Sequence, residues 1–172
     1  MKIYYKLSII YIIYFLLLIN LLFYLIIHMP KIKNIYGTEL KQCNSNTNYQ
    51  LYDSSINGYC NEPYGGYHNI CINMIPFISY NFSELTGQNN WSKSKKGKNH
   101  CICQGAWANY IAKLKQINNY HKLPLGILNC EAIPEKVLEE YKNNFNSWNN
   151  VTINNQHIDA YNELLRQCPK IK

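Results

Sequence analysis

Two short segments carry the side chains best suited to chemistry: His68-Asn69-Ile70-Cys71 and Cys101-Ile102-Cys103. Positions two apart on a strand face the same way, so Cys101 and Cys103 can offer both thiols to one ion. With His68 and Cys71 they make a Cys₃His set, a common tetrahedral zinc shell. The close Cys-x₂₋₄-Cys pairs of standard zinc modules are missing. Disulfides compete for the same sulfurs. The chain has seven cysteines, at 43, 60, 71, 101, 103, 130 and 168. An odd number cannot all pair within one chain, so at least one is free, metal-bound or intermolecular. In the disulfide reading Cys101 and Cys103 bond elsewhere, for example one to Cys71 and one to Cys60 or Cys43. Cys130 and Cys168 then form a separate C-terminal staple. Structural cysteines, as disulfides or buried thiols, are the leading reading, followed by metal and then by a reactive thiol. His68 alone reads as a satisfied structural histidine before it reads as a ligand or base. No nucleophile elbow, phosphate loop or paired-carboxylate pattern occurs. No catalytic or cofactor-binding residue is therefore assigned, and zinc is the one alternative cofactor.

These residues need elements to hold them. Ile70, Ile72 and Met74 alternate, which predicts a strand with Cys71 and Asn73 on its other face. Pro76 to Gly87 reads as a helix with Ile78, Phe82 and Leu85 on one side, and residues 88–100 as polar loop. Residues 100–104 form a second short strand. A helix from about Gly105 gathers Trp107, Tyr110, Ile111, Leu114 and Ile117 into an apolar stripe for core packing. Residues 125–128 read as another strand. Pro134 opens a helix with Val137, Leu138, Tyr141 and Phe145 on one face, and a last helix groups Ile158, Tyr161, Leu164 and Leu165. Residues 44–67 are loops with short strands, with Asn57-Gly58 and Gly65-Gly66 as turns. The expected class is α+β: one small domain with a short sheet and about four helices, preceded by one transmembrane helix.

That last helix is read from residues 7–29, which contain no Asp, Glu, Lys or Arg. Fifteen Ile, Leu or Phe residues between Ser8 and Ile27 favour insertion by roughly 5–8 kcal/mol. Asn20 near the middle is expected to find a partner helix. A cleaved signal peptide is the rival, but its core would be shorter and would be followed by small residues, whereas Ile26-Ile27-His28-Met29-Pro30 offers none. The expectation is a single-pass membrane protein, with a signal-anchor over residues 1–29, a juxtamembrane linker over 30–36, and a cysteine-rich globular domain over 30–172. The bilayer is the expected partner of residues 7–29. Lysines flank both ends of the run, so charge sets no side of the membrane.

Net charge is +7, but the lysines are scattered apart from Lys93, Lys95, Lys96 and Lys98, which suit a solvated loop. No nucleic-acid-binding signature appears, so nucleic acid is not an expected partner. Three N-glycosylation sequons, at Asn81, Asn90 and Asn150, carry little weight in so Asn-rich a chain.

The order of these residues resembles the uncharacterised family called domain of unknown function 2237. The likeness begins at Asn34-Ile35-Tyr36-Gly37-Thr38-Glu39-Leu40-Lys41-Gln42-Cys43, similar to the family's N-x-x-G-x-x-L-x-x-C. It continues through Gly58-Tyr59-Cys60, then His68-Asn69-Ile70-Cys71 with Met74 and Phe77. Gly97, Cys101-Ile102-Cys103 and Trp107 resemble its G-D-x-W-C-L-C segment and following tryptophan, and Leu123-Pro124 to Leu128 its A-P-x-V-x-L strand. The span is about residues 34–140. Where the family has polar residues suited to substrate binding or proton transfer, this chain has Ile56-Asn57, Gly87-Gln88-Asn89, Ala106 and Ala132-Ile133. The resemblance implies no established activity, and makes this chain a degenerate member if the family is enzymatic. Family members look cytosolic, which implies reduced or metal-bound cysteines.

The functional expectation is a membrane-anchored structural or protein-interaction role at a membrane or virion surface, with enzymatic activity disfavoured. The alternative is a zinc-binding or thiol-redox domain tethered to a membrane.

Overall fold

A computed structural model describes residues 2–27, 31–44, 57–62, 67–143 and 156–169. The chain is α+β, and its described residues form six α-helices and one two-stranded sheet. It divides into two units, Met1–Lys31 and Ile32–Lys172.

The first unit is the helix α1, Lys2–Ile27. Among the described residues no helix is long and apolar enough to cross a membrane. The expected transmembrane helix over residues 7–29, and the single-pass membrane localisation built on it, are corrected accordingly. Asn20 donates to the Leu16 carbonyl of its own helix at 2.9 Å.

In the second unit, β1 (His68–Asn73) pairs antiparallel with β2 (Asn99–Cys103). Both faces of β1 are covered, so Cys71 is as buried as Ile70 and Ile72. Alternation of side chains therefore did not mark a solvent face here. The helix α2 (Pro76–Leu85) starts on proline and is followed by Gly87 at φ +69°. The expected loop after it contains a four-residue helix, α3 (Trp91–Ser94). Ser92 and Ser83 exchange hydroxyl and amide hydrogen bonds of 3.2 and 3.0 Å, and the Ser92 hydroxyl donates to Ser79 O at 2.8 Å. These bonds latch α3 to α2, so a segment that is polar in sequence becomes part of the packed structure.

The helix α4 (Gln104–Gln116) follows β2 without a loop. Trp107, Tyr110, Ile111 and Leu114 are buried as expected, whereas Ile117 lies past the helix end and is exposed. Residues 125–128 are not a strand. They make a single bridge, Ile72 to Leu128. Two further helices, α5 (Lys136–Lys142) and α6 (Gln156–Gln167), bring the helices among the described residues of this unit to five, against the expected about four. Phe145 lies outside the described residues. In α6 the face turned inward carries Gln156, Ala160, Glu163, Leu164 and Gln167, with Ile158 exposed. Its polar members are satisfied: Glu163, fully buried, accepts from Arg166 at 2.7 Å, from Gln167 at 2.8 Å and from the Tyr120 hydroxyl.

The segment expected as a linker is part of the fold. Asn34 is fully buried. Its amide donates to Glu39 O and Glu131 O at 3.1 Å, and its carbonyl accepts the Tyr36 N–H at 3.0 Å.

Candidate functional site

Three disulfides join Cys43 to Cys71, Cys60 to Cys101 and Cys130 to Cys168. The C-terminal staple is the pair expected. Cys101 bonds to Cys60, and Cys71 to Cys43, so the Cys71–Cys101 alternative is not the one adopted. Cys103, expected to pair, is the free thiol. Of His68, Cys71, Cys101 and Cys103, two hold their sulfurs in disulfides with other cysteines, and His68 and Cys103 meet through their side chains.

They meet because of the sheet register. His68 opens β1 and Cys103 closes β2, and the two are Cα partners. A bulge between His68 and Ile70 re-aims the strand end, as such irregularities do beside functional sites. Cys103 Sγ lies 3.0 Å from His68 Nε2. The other ring nitrogen, Nδ1, hydrogen-bonds to Glu62 Oε2. A carboxylate only accepts, so the proton sits on Nδ1, and Nε2 turns its lone pair to the thiol. The same Glu62 oxygen accepts the His68 backbone N–H at 3.2 Å. Nucleophile, base and orienting acid thus stand in line, the arrangement of a catalytic triad.

A second layer holds this line in place. Asn69, fully buried, accepts the Glu62 N–H on Oδ1 at 3.0 Å and donates from Nδ2 to Gln104 Oε1 at 2.8 Å. Gln104 donates in turn to Glu140 at 2.7 Å, and its carbonyl accepts the Tyr141 hydroxyl at 2.6 Å. Tyr67, just before His68, sits at φ +49°, a left-handed conformation that costs a residue other than glycine roughly 1–3 kcal/mol. Its carbonyl accepts the N–H groups of Asn69 at 2.8 Å and Gln104 at 3.0 Å. The strained residue therefore ties the start of β1 to the start of α4.

Cys103 is the N-cap of α4, and the positive end of a helix favours a thiolate. Burial opposes this and dominates. It pushes the Cys103 thiol up to about 11, with the Glu62 charge as the second cause. The resting thiol is therefore protonated and donates to Nε2. Beside it lies a cavity of about 120 Å³ lined by His68, Gln88, Trp91, His100, Cys103 and Ala106, among others. Trp91 and His100 form a tilted aromatic wall with centroids 5.0 Å apart. His68 and Glu62 side chains keep 25% and 29% of their surface exposed, so the line of groups opens to solvent.

Sequence reasoning named His68 and Cys103 but assigned them to a metal shell, and missed Glu62 altogether. Glu62 stands in a loop two residues after Gly58-Tyr59-Cys60, a motif that pointed to no acid. The one usable signal was a histidine and a cysteine at the ends of two strands, with a helix starting directly after the cysteine. No family model, curated protein or solved structure matches this chain.

Proposed function

We propose that the globular unit is a thiol-dependent acyl-transfer enzyme, with Cys103 as nucleophile, His68 as general base and Glu62 as its orienting acid. The observation that carries this reading is the line Glu62–His68–Cys103, with 3.0 Å between Nε2 and Sγ. Attack of Sγ on an acyl carbon passes the thiol proton to Nε2. The same proton then goes to the leaving amine or alkoxide as the carbon–heteroatom bond breaks, giving a thioester. Water, deprotonated by Nε2, cleaves the thioester and restores the thiol. The amides of Gly105 and Ala106, in the first turn of α4 where a helix leaves N–H groups without intrahelical acceptors, are the proposed oxyanion donors. The small cavity suits a short acyl group or a small side chain.

This reading replaces the structural or interaction role expected from sequence. The kinship with domain of unknown function 2237 remains a proposal resting on motif order, and His68 and Cys103 both belong to its matched motifs. A thiol-redox role is the second reading, because the disulfide-bonded Cys101 lines the same cavity. One experiment separates the two. The purified chain is mixed with p-nitrophenyl esters of short acids, and separately with glutathione disulfide, and the adducts are mapped by mass. Acylation of Cys103 with steady turnover, reduced about 10²–10⁴-fold in His68→Ala, supports the enzyme. A mixed disulfide of Cys103 with glutathione, formed with release of one glutathione thiol and without acylation by the esters, refutes it in favour of redox chemistry.

A further inference from the structure

A second sulfur cluster lies along the same two strands. Cys71 and Cys101 are Cα partners across β1 and β2, yet each bonds outward to a loop cysteine, Cys43 and Cys60 respectively. The loops meet where the Cys43 N–H donates to Gly58 O at 2.8 Å. The sulfurs of Cys43, Cys60 and Cys71 all lie within 4.8 Å of one another, and the Cys101 sulfur is bonded to that of Cys60. All four residues are buried, at 3%, 0%, 0% and 1% exposure.

We propose that this four-sulfur cluster has two states: two disulfides when oxidised, and a tetrahedral Cys₄ zinc site when reduced. A zinc tetrathiolate with Zn–S bonds of about 2.3 Å sets its sulfurs about 3.8 Å apart. Bonded pairs must part by somewhat less than about 2 Å; Cys60, now within 4.8 Å of Cys43 and Cys71, closes on them by at most about 1 Å, and Cys101, which lies outside that trio but is bonded to Cys60, closes on Cys43 and Cys71 by at most about 3 Å. Rotation about the side-chain bonds spans such distances. Each disulfide takes two electrons from the reductant and yields two thiols; the two protons come from the thiols of a dithiol reductant, or from the water that a phosphine takes up as it becomes phosphine oxide. The four thiols then bind one Zn²⁺ and release four protons. A disulfide oxidant reverses this, withdrawing four electrons, reforming both S–S bonds and expelling the ion. The set shares Cys71 and Cys101 with the shell expected from sequence, but replaces His68 and Cys103 with Cys43 and Cys60. It does not involve the proposed nucleophile, so the two proposals fail independently.

The test uses the full chain, reduced anaerobically with a phosphine and titrated with Co²⁺. The expected result is one Co²⁺ per chain with the visible bands of tetrahedral cobalt and a near-ultraviolet sulfur-to-cobalt charge transfer. Zn²⁺ should displace it. Cys103→Ser and the Cys130→Ala/Cys168→Ala double variant should keep the spectrum, whereas Cys43→Ser should weaken binding at least about tenfold. A readout without variants is alkylation of the zinc-loaded wild-type chain, where residues 43, 60, 71 and 101 should be shielded. Absence of tetrahedral cobalt bands in the reduced chain, equal binding by the oxidised chain, or shielding at Cys103 instead would overturn the proposal.

Discussion

Replacing Glu62 with Gln should move two properties of Cys103 in opposite directions. Glu62 raises the thiol through its charge and holds His68 in the tautomer that makes Nε2 a base. In Glu62→Gln the charge is gone. The thiol stands at about 11 against an ordinary 9.0, and Glu62 is the smaller of the two causes that raise it. Its removal should therefore lower the thiol by less than burial raises it, and speed iodoacetamide alkylation at pH 7 by roughly tenfold. Acyl transfer should go the other way. A Gln amide can donate to Nδ1, which leaves the ring proton on Nε2, facing the sulfur. The base is then lost, at a cost of about 10³–10⁴ in acylation rate. One Glu62 oxygen serves both Nδ1 and the His68 backbone N–H, so that backbone bond is lost when the amide nitrogen takes its position, while the Glu62 N–H bond to Asn69 Oδ1 still holds the loop. The assay is paired: alkylation of Cys103 followed by mass, and ester acylation followed by released nitrophenolate, on both proteins from pH 6 to about 10. In the parent, alkylation should climb about tenfold per pH unit, because the thiolate fraction at pH 7 is only about 10⁻⁴. A flat alkylation profile below pH 8 would mean a preformed thiolate–imidazolium pair and would refute the reasoning. So would a fall of both rates together in Glu62→Gln.

Three other outcomes are expected. Burial raises Cys103 to about 11 and Tyr120 to about 12, and lifts Tyr110 and Tyr141 further. All four bind their protons more tightly when folded, so the stability they contribute is complete below about pH 9 and is lost as pH rises through these values; chemical denaturation at pH 8 and pH 11 checks this. Opening the Cys130–Cys168 bond, which closes a separation of 38 residues, should cost about 4 kcal/mol and lower Tm by roughly 10–15 °C in the Cys130→Ala/Cys168→Ala chain, measured by calorimetry. Ser92→Ala removes the two buried hydrogen bonds that its hydroxyl makes to Ser83 N–H and Ser79 O and should cost about 1–3 kcal/mol; because α3 carries Trp91, it should also raise KM for esters before it changes kcat.

The strands and helices around the site were legible because their signals are local. Pro76 starts a helix and Gly87 follows its end; Trp107, Tyr110, Ile111 and Leu114 keep helical spacing, and all are buried. What stayed hidden depended on pairing across the chain. The 3.0 Å approach of Cys103 to His68 comes from strand register, which no single segment encodes. Glu62 reaches His68 from a loop, and α3 is held by serine hydroxyls rather than by apolar periodicity. The inward face of α6 was misread because Glu163, Arg166 and Gln167 satisfy one another there, which hydrophobic patterning cannot register. The N-terminal run was read from composition as a membrane span, and the described part of α1 does not meet that requirement.

Gly58 gives the crossed disulfides a consequence for how the chain matures. It sits at φ +83°, and a Cβ there would stand 2.4 Å from the carbonyl oxygen of Asn44. That contact sets how the loop bearing Cys43 lies beside the loop bearing Cys60. Four neighbouring cysteines permit three connectivities, and sulfurs this close can exchange partners during oxidation. Glycine at this position acts as a proofreader of isomers: with any bulkier residue, oxidative folding should stall in a mixture of mispaired chains, even though no sulfur has been changed.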